Sequence, residues 1–300
     1  MTDALPGFDR HRRLLFTVAY EMLGSVADAE DAVQDTWLRW SQADRSDVVD
    51  ERAYLVRVTT RLALDRLRSA RAQRETYVGP WLPEPLLADV PSAGPDPADA
   101  AEIGEQVSLA LLVVLETLSP VERAVFVLRE VFGMPYAEVA GVLDRSEAAV
   151  RQLGHRARSH VEARRPRFGT DRRAQREVTE RFLAACAGGD VEALLAALAP
   201  DAVLVTDGGG KVKAALRPIA GAEKVARFLV ATTATGLAAP GTEVQTADVN
   251  GLPALVARQD GRPFLVASLV LVDGLVAQVL VVRNPDKLRG LDRVDLGSRG

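Results

Sequence analysis

Three hundred residues, 48% hydrophobic and 26% charged, describe a folded chain and exclude a disordered one; two or three modules are expected, because the length exceeds what one core usually organises. A net charge of −4 excludes a generally basic nucleic-acid coat. A single cysteine, Cys186, excludes an intramolecular disulfide, and three scattered histidines supply little for a metal centre, so neither metal nor cofactor is expected.

The N-terminal MTDALPGFDRHRR has no apolar core after a basic start, so no signal peptide is read there. The longest apolar run, Val107–Leu115, falls far short of the roughly 20 residues that span a bilayer. A cytoplasmic protein without membrane contact is the expectation. The average charge hides a polarised distribution. Asp28, Glu30, Asp31 and Asp35 are unopposed between residues 28 and 35, whereas nine arginines face three acids between 145 and 173. Such local patches, rather than net charge, decide which surfaces meet phosphates.

In chain order, residues 1–78 read as helices, with apolar positions at helical spacing in Leu14-Leu15-Val18-Met22, Val33-Trp37-Trp40 and Leu55-Val58-Leu62. Gly24 breaks the pattern and Ser25 caps the second helix. On that helix Asp28, Asp31 and Asp35 form one acidic stripe, either a solvated face or a partner surface. The third helix carries Arg57, Arg61, Arg66, Arg68, Arg71 and Arg74 against Asp65 alone, which favours a polyanion. Six prolines between residues 80 and 97 then exclude a helix or interior strand, so 79–101 reads as a stiff linker.

Residues 102–170 resume the helical pattern. Ser119-Pro120 with Glu122 forms a capping box. Tyr136–Leu143 reads as a short helix, Asp144-Arg145 as a tight turn, and Ser146 as the cap of a long helix. That helix places Val150, Leu153, Ala157 and Val161 on one side, and Ala148, Gln152, His155 and Ser159 on the other, flanked by Arg151 and Arg156. Small and polar residues bordered by arginine are what a major-groove helix requires, so a DNA-binding helix-turn-helix is favoured over an ordinary wet hairpin.

From residue 174 the expectation is an α+β module. Two helices separated by Gly188-Gly189-Asp190 precede period-two segments at 202–206, 254–258, 264–272 and 276–282, with a helix near 221–233 and hairpin dipeptides Asn250-Gly251, Asp260-Gly261 and Asp273-Gly274. The glycine run in DGGGKV (207–212) is not a phosphate loop, because Val212 stands where Ser or Thr would follow the lysine. It reads as a turn that lets backbone approach closely, with Lys213–Leu216 expected as another strand.

DAEDAVQDTWLRW (28–40), YLVRVTTRLALDRLRSAR (54–71) and LSPVERAVFVLREVFGMPYAEVAGVLDRSEAAVRQLGHRAR (118–158) resemble regions 2 and 4 of extracytoplasmic-function (ECF) bacterial sigma factors. The resemblance implies two all-α modules that bind core RNA polymerase and promoter DNA. Asp28, Asp31, Gln34, Asp35 and Trp37 would face the β′ clamp helices, and region 4 would meet the β flap. Arg57, Arg61, Arg68 and Arg71 would lie at the −10 element, although many family members carry Asn where Arg61 stands. Arg151, Gln152, His155, Arg156 and Arg158 would read the −35 element.

The remainder is similar to a SnoaL/NTF2-like cone with a curved antiparallel sheet. WLPEP (Trp81, Leu82, Pro83, Glu84, Pro85), DGGGK (Asp207, Gly208, Gly209, Gly210, Lys211) and NPDKL (Asn284, Pro285, Lys287, Leu288) resemble the ECF subgroup with such a fused domain. This implies a regulator in cis, in place of a separate anti-sigma factor, with Trp81 as an apolar anchor for the linker. Some SnoaL-like proteins are enzymes that use an Asp/His pair, but no histidine follows His160. Asp201, Asp207, Asp248 and Asp260 fall at strand ends or turns, where solvated carboxylates are ordinary. The chain is therefore read as a non-enzymatic, stress-response type of transcription factor; the alternative is a DNA-binding metabolite sensor or SnoaL-like enzyme fused to a helix-turn-helix.

Overall fold

The computed structural model describes residues 5–46, 48–87, 107–164, 172–236 and 239–291. These residues fall into two units, one drawn from Met1–Glu75, Pro91–Val107 and Leu111–Arg164, the other from Thr76–Val90, Ser108–Ala110 and Arg165–Gly300.

Among the described residues, the regular structure of the first unit is helical. α1 (Leu5–Leu23), α2 (Val26–Gln42) and α3 (Glu51–Arg74) pack on one another. Leu15, Val18, Ala19 and Met22 of α1, Ala29, Ala32, Val33 and Trp40 of α2, and Leu55, Leu62 and Ala63 of α3 are all buried. Two hydroxyls cross this core: Thr36 Oγ1 lies 2.9 Å from Thr59 Oγ1, and also donates to the Ala32 carbonyl at 2.7 Å. Both are thereby satisfied in the interior, which is the condition for burying them.

α4 (Leu109–Leu115) precedes α5 (Pro120–Phe126), whose capping box is complete: Ser119 Oγ accepts from Glu122 N while the Glu122 side chain accepts from Ser119 N. The Ser119 hydroxyl, which donates to Glu122 Oε2 at 2.6 Å, and with it the Ser119 amide hold the Glu122 carboxyl below its ordinary pKa. A π-helical turn, Val127–Val131, extends α5. α6 (Tyr136–Leu143) then ends on Asp144 at φ 51°, and α7 (Glu147–Arg164) follows. A left-handed residue between a short and a long helix is the sharp corner of a helix-turn-helix, and aspartate tolerates it better than most residues. Ser146 Oγ accepts from Ala149 N at 3.3 Å, as its position before α7 predicts.

The second unit contains α8 (Arg172–Gly188), α9 (Val191–Ala197), β1 (Leu198–Asp207), β2 (Ile219–Ala220), α10 (Ala222–Gly236), β3 (Thr242–Val249), β4 (Leu252–Gln259), β5 (Arg262–Val272), β6 (Leu275–Val282), α11 (Pro285–Leu288) and a 3₁₀ turn at Arg289–Leu291. The six strands run in the order β2-β1-β6-β5-β4-β3. Asn250-Gly251, Asp260-Gly261 and Asp273-Gly274 all have positive φ at both residues, the geometry that matches a two-residue hairpin to the twist of its strands. Register shifts at Leu198/Val203, Ala257/Arg258 and Val270/Leu271 mark bulges, which bend the sheet. Phe182, Leu194, Leu204, Val225, Leu269 and Val279 meet in the core that the helices close.

Two sequence expectations need correcting. The sheet is not wholly antiparallel: β1 and β6 pair in parallel, with Leu204 opposite Val279. Their long intervening chain permits this, since parallel strands need a crossover and cannot share a tight hairpin. Lys213–Leu216 is not a strand but part of the loop between β1 and β2. There Thr206 Oγ1 both accepts from Ala215 N at 2.7 Å and donates to Ala215 O at 3.1 Å, so a side chain takes the backbone bonds a ladder would use. Thr242–Val249 is the first of the four strands after α10, and its exposed and half-exposed pattern, with only Val249 buried, fits its place at the edge of the sheet.

Candidate nucleic-acid interface and the linker seat

On α2 the buried face turns Asp28, Asp31, Gln34 and Asp35 outward, with Asp31 and Gln34 exposed and the other two half-exposed. Arg66 of α3 lies 2.6 Å from Asp35 and 3.6 Å from Asp31. Ion pairs this exposed stabilise by about 0–1 kcal/mol, so they leave the stripe able to exchange partners. Trp37 is half-buried against Phe8, with ring centroids 5.1 Å apart, next to the exposed Leu38.

The four α3 arginines do not share one fate. Arg57 is exposed and unpartnered among the described residues. Arg68 bonds Asp65 at 3.0 Å. The side chain of Arg71 lies outside the described residues. Arg61 instead donates to the Val142 carbonyl at 3.1 Å and to Asp144 at 2.5 Å, both in the corner of the helix-turn-helix. An arginine of the first module thus occupies the turn of the second.

α7 buries Val150, Gly154, Ala157 and Val161 and exposes Ala148, Arg151, Gln152, His155, Arg156, Arg158 and Ser159. Gln152 and His155 are exposed and have no partner among the described residues. The arginines are pre-engaged: Arg151 with Glu147, Arg156 with Glu122 at 3.5 Å, and Arg158 with Glu130 at 2.5 Å. The last pairing raises the Arg158 guanidinium above its already high pKa, so it is a fixed cation.

Sequence reasoning missed a buried network in the helical unit. Arg123, 1% exposed, pairs with Glu116 and donates Nε to the Glu21 carbonyl at 3.1 Å. Arg74 also pairs with Glu116 and donates to the Leu23 carbonyl at 2.8 Å. Glu21 Oε1 accepts from Val107 N at 3.1 Å, while Oε2 has no partner among the described residues. Burial pushes the Glu21 carboxyl up to about 8, against the opposing pull of Val107 N–H and Arg123. A lone carboxylate inside the apolar run TVAYEML was the available signal.

In the second unit, WLPEP, DGGGK and NPDKL come together. Asp207, at the end of β1, is completely buried, so the expectation of a solvated carboxylate is wrong for it. Its Oδ2 accepts from Leu82 N at 2.9 Å and lies 2.7 Å from Lys287 Nζ. Its Oδ1 accepts from Tyr77 OH at 2.6 Å and Gly209 N at 3.1 Å. Its carbonyl accepts from the amides of Arg283 and Asn284. Lys287 Nζ also donates to the Leu82 carbonyl at 2.5 Å and lies over the Trp81 ring, 4.1 Å from its centroid.

Trp81 therefore serves as a cation–π lid on the lysine rather than an apolar anchor; Leu82, 1% exposed, is the anchor, with Pro83 and Pro85 buried beside it and Glu84 half-buried. Asn284 Nδ2 donates to Tyr77 OH at 2.8 Å, and Lys211 pairs with Asp286. Pro285 opens α11, whose Leu288 is buried. Burial and the bond to Asp207 push the Tyr77 phenol above its usual pKa. Gly209 and Gly210 adopt φ 60° and 70°, and a Cβ on Gly209 would overlap Asn284 and the Tyr77 hydroxyl. Downstream, Leu86 and Asn250 exchange bonds, Asn250 N to Leu86 O at 2.7 Å and Leu86 N to Asn250 Oδ1 at 3.2 Å, and Leu87 bridges Val249.

No helix among the described residues is long and apolar enough to cross a membrane, and none of their His, Cys, Asp and Glu side chains form a group of three that could hold a metal ion. Asp248 pairs with Arg176 at 3.3 Å, Asp201 is exposed, and Asp260 sits in its hairpin turn at φ 50°.

The family model for Sigma-70 region 2 matches residues 8–73, and that for Sigma-70, region 4, matches residues 108–161. The chain is 41% identical over 293 residues to the ECF RNA polymerase sigma factor SigJ of Mycobacterium tuberculosis, covering 94% of this chain and 92% of that protein. It is 34% identical over 291 residues to "Probable ECF RNA polymerase sigma factor SigI" of the same species, covering 96% and 95%. The crystal structure of M. tuberculosis SigJ matches with a TM-score of 0.74 at 38% identity, covering 94% of this chain and 97% of that one. Two sigma-70 modules in order, near-complete alignment with such relatives and the matching fold place this chain in the ECF RNA polymerase sigma factors, which bind core RNA polymerase and promoter DNA.

Proposed function

We propose that the first module (1–78) captures the −10 element through Arg57, Arg61, Arg68 and Arg71, that the second (102–170) reads the −35 element through α7, and that the C-terminal module (174–300) regulates both in cis. Asp28, Asp31, Gln34, Asp35 and Trp37 dock on the β′ clamp helices of the polymerase, and the second module on the β flap. The observation that carries the regulatory part is the seat of the linker: Leu82 N and O, on consecutive groups of one residue, are held by Asp207 and Lys287.

The segment from Tyr77 to Leu87 is part of the only covalent path between α3 and α4. Fixing it removes chain entropy and shortens the tether available to two modules that must match a promoter's spacing. The same bonds speak against catalysis at this buried carboxylate, because Asp207 is already taken by Leu82, Tyr77, Gly209 and Lys287.

In vitro transcription with core polymerase tests the reading, comparing the full chain with versions ending near residues 170 and 206. Promoter output or spacing preference is expected to change when the seat is lost; identical output from all three excludes regulation in cis. Asp31→Arg with Asp35→Arg should weaken capture of core polymerase in a pull-down, and unchanged capture excludes the acidic face as the docking surface.

A further inference from the structure

Tyr136, the first residue of α6, collects the charged side chains of the helix-turn-helix. The guanidinium carbon of Arg129 lies 4.8 Å from its ring centroid and that of Arg151 lies 4.9 Å from it. Arg129 is itself tethered, donating Nη1 to the Met134 carbonyl at 3.1 Å in the loop before α6. Arg151 is held on its other side by Glu147, with Nε to Oε1 at 3.0 Å.

The ring also accounts for a glycine inside the long helix. Gly154 stands in the middle of α7, where glycine is less favourable than alanine. A Cβ there would lie 3.0 Å from the Tyr136 hydroxyl oxygen and 3.1 Å from Cε1. Gly154 is buried, and an alanine methyl there would crowd the aromatic ring, which would have to give by a few tenths of an ångström.

We propose that Tyr136 is a positioning residue for promoter recognition: its ring, seated against Gly154, holds Arg151 in its DNA-facing rotamer before DNA arrives. This rests on α7 being the −35 reader. A long arginine side chain has many rotamers to lose on binding. Spending part of that freedom in the free protein leaves less to lose on binding, so affinity for the matched element rises. A ring that touches two guanidinium groups also fixes the entry of α6 against α7, and with it the tilt at which α7 meets the groove.

The test uses the full-length chain with core polymerase. A promoter selected from a random library by the wild-type holoenzyme serves as probe, alongside the same promoter with its −35 element scrambled. The readout is the ratio of transcripts from the two. Tyr136→Met, which keeps bulk and removes the ring, should lower that ratio about three- to tenfold, the effect of losing cation–π contacts worth about 0.7–1.4 kcal/mol. Tyr136→Phe, which keeps the ring, should stay within about twofold of wild type. Core-polymerase capture should be unchanged in both, which separates positioning from misfolding. A wild-type ratio for folded Tyr136→Met overturns the proposal. If that variant does not fold, Tyr136→Leu, which also removes the ring, decides in its place: a lowered ratio supports the role and a wild-type ratio overturns it. Arg151→Ala with Gln152→Ala distinguishes the two levels of inference. An unchanged ratio there removes the −35 assignment and the positioning role together, whereas a collapsed ratio there with an intact one in Tyr136→Met removes the positioning role alone.

Discussion

Replacing Lys287 by alanine isolates the linker seat. In the native chain this ammonium is 7% exposed and is satisfied by the Leu82 carbonyl, by Asp207 Oδ2 and by the Trp81 ring. The substitution leaves the Asp207 carboxylate wholly buried, still accepting from Leu82 N, Tyr77 OH and Gly209 N, but with its balancing charge gone. Removing one partner of a buried ion pair costs about 3–5 kcal/mol. At about 1.4 kcal/mol per decade, the local opening of the seat should become roughly a hundred to four thousand times more frequent. The penalty should be largely relieved in Lys287→Met with Asp207→Asn, since neither charge then remains buried, and that non-additivity is the signature of a coupled pair. Hydrogen exchange of peptides covering 76–87 in the full chain reads the effect directly, with peptides from α1–α3 as internal control. Exchange of 76–87 at the wild-type rate in Lys287→Ala would refute the reasoning, because it would mean that the lysine does not hold the linker.

Two further outcomes follow from the helical unit. Glu21 has its folded pKa raised from 4.5 to about 8, so between those values the folded state binds the extra proton and stability falls as pH rises, flattening above about 8. Glu21→Gln keeps an acceptor for Val107 N and removes the titration. Its urea midpoint should be less dependent on pH between 5 and 8 and should exceed wild type most at the alkaline end; parallel profiles for the two proteins would exclude the buried carboxyl as the source. Asp144→Gly keeps the left-handed corner and removes the carboxylate that meets Arg61. The pair is exposed, so its loss should change stability by no more than about 1 kcal/mol. If Arg61 touches single-stranded −10 DNA, freeing it should strengthen binding of such an oligonucleotide about two- to fivefold at low salt, with the gain fading as salt screens the charge; equal affinities at low salt would place Arg61 outside that interface.

Much of this protein could be read in one dimension because the signals are local. Ser25, Ser119 and Ser146 each cap the helix that follows them, and Asn250, Asp260 and Asp273 each begin a two-residue hairpin turn. Such features depend on the backbone within three or four residues, so spacing alone reveals them. The helix-turn-helix face of α7 was visible for the same reason, since a period of 3.6 separates Val150, Ala157 and Val161 from Gln152 and His155.

What spacing could not convey is which distant groups satisfy one another. Arg61 looked like its neighbours on an arginine stripe and meets the carbonyl of Val142; Asp207 looked like a carboxylate at a strand end and is buried beneath a lysine 80 residues away. Trp81 looked like an apolar plug and covers a charge. The parallel pairing of β1 with β6, and the failure of Lys213–Leu216 to join the sheet, belong to the same class. Burial and partner choice are sums over residues brought together by folding, and in the interior an unpaired charge is so costly that the partner, rather than the local pattern, sets each group's role.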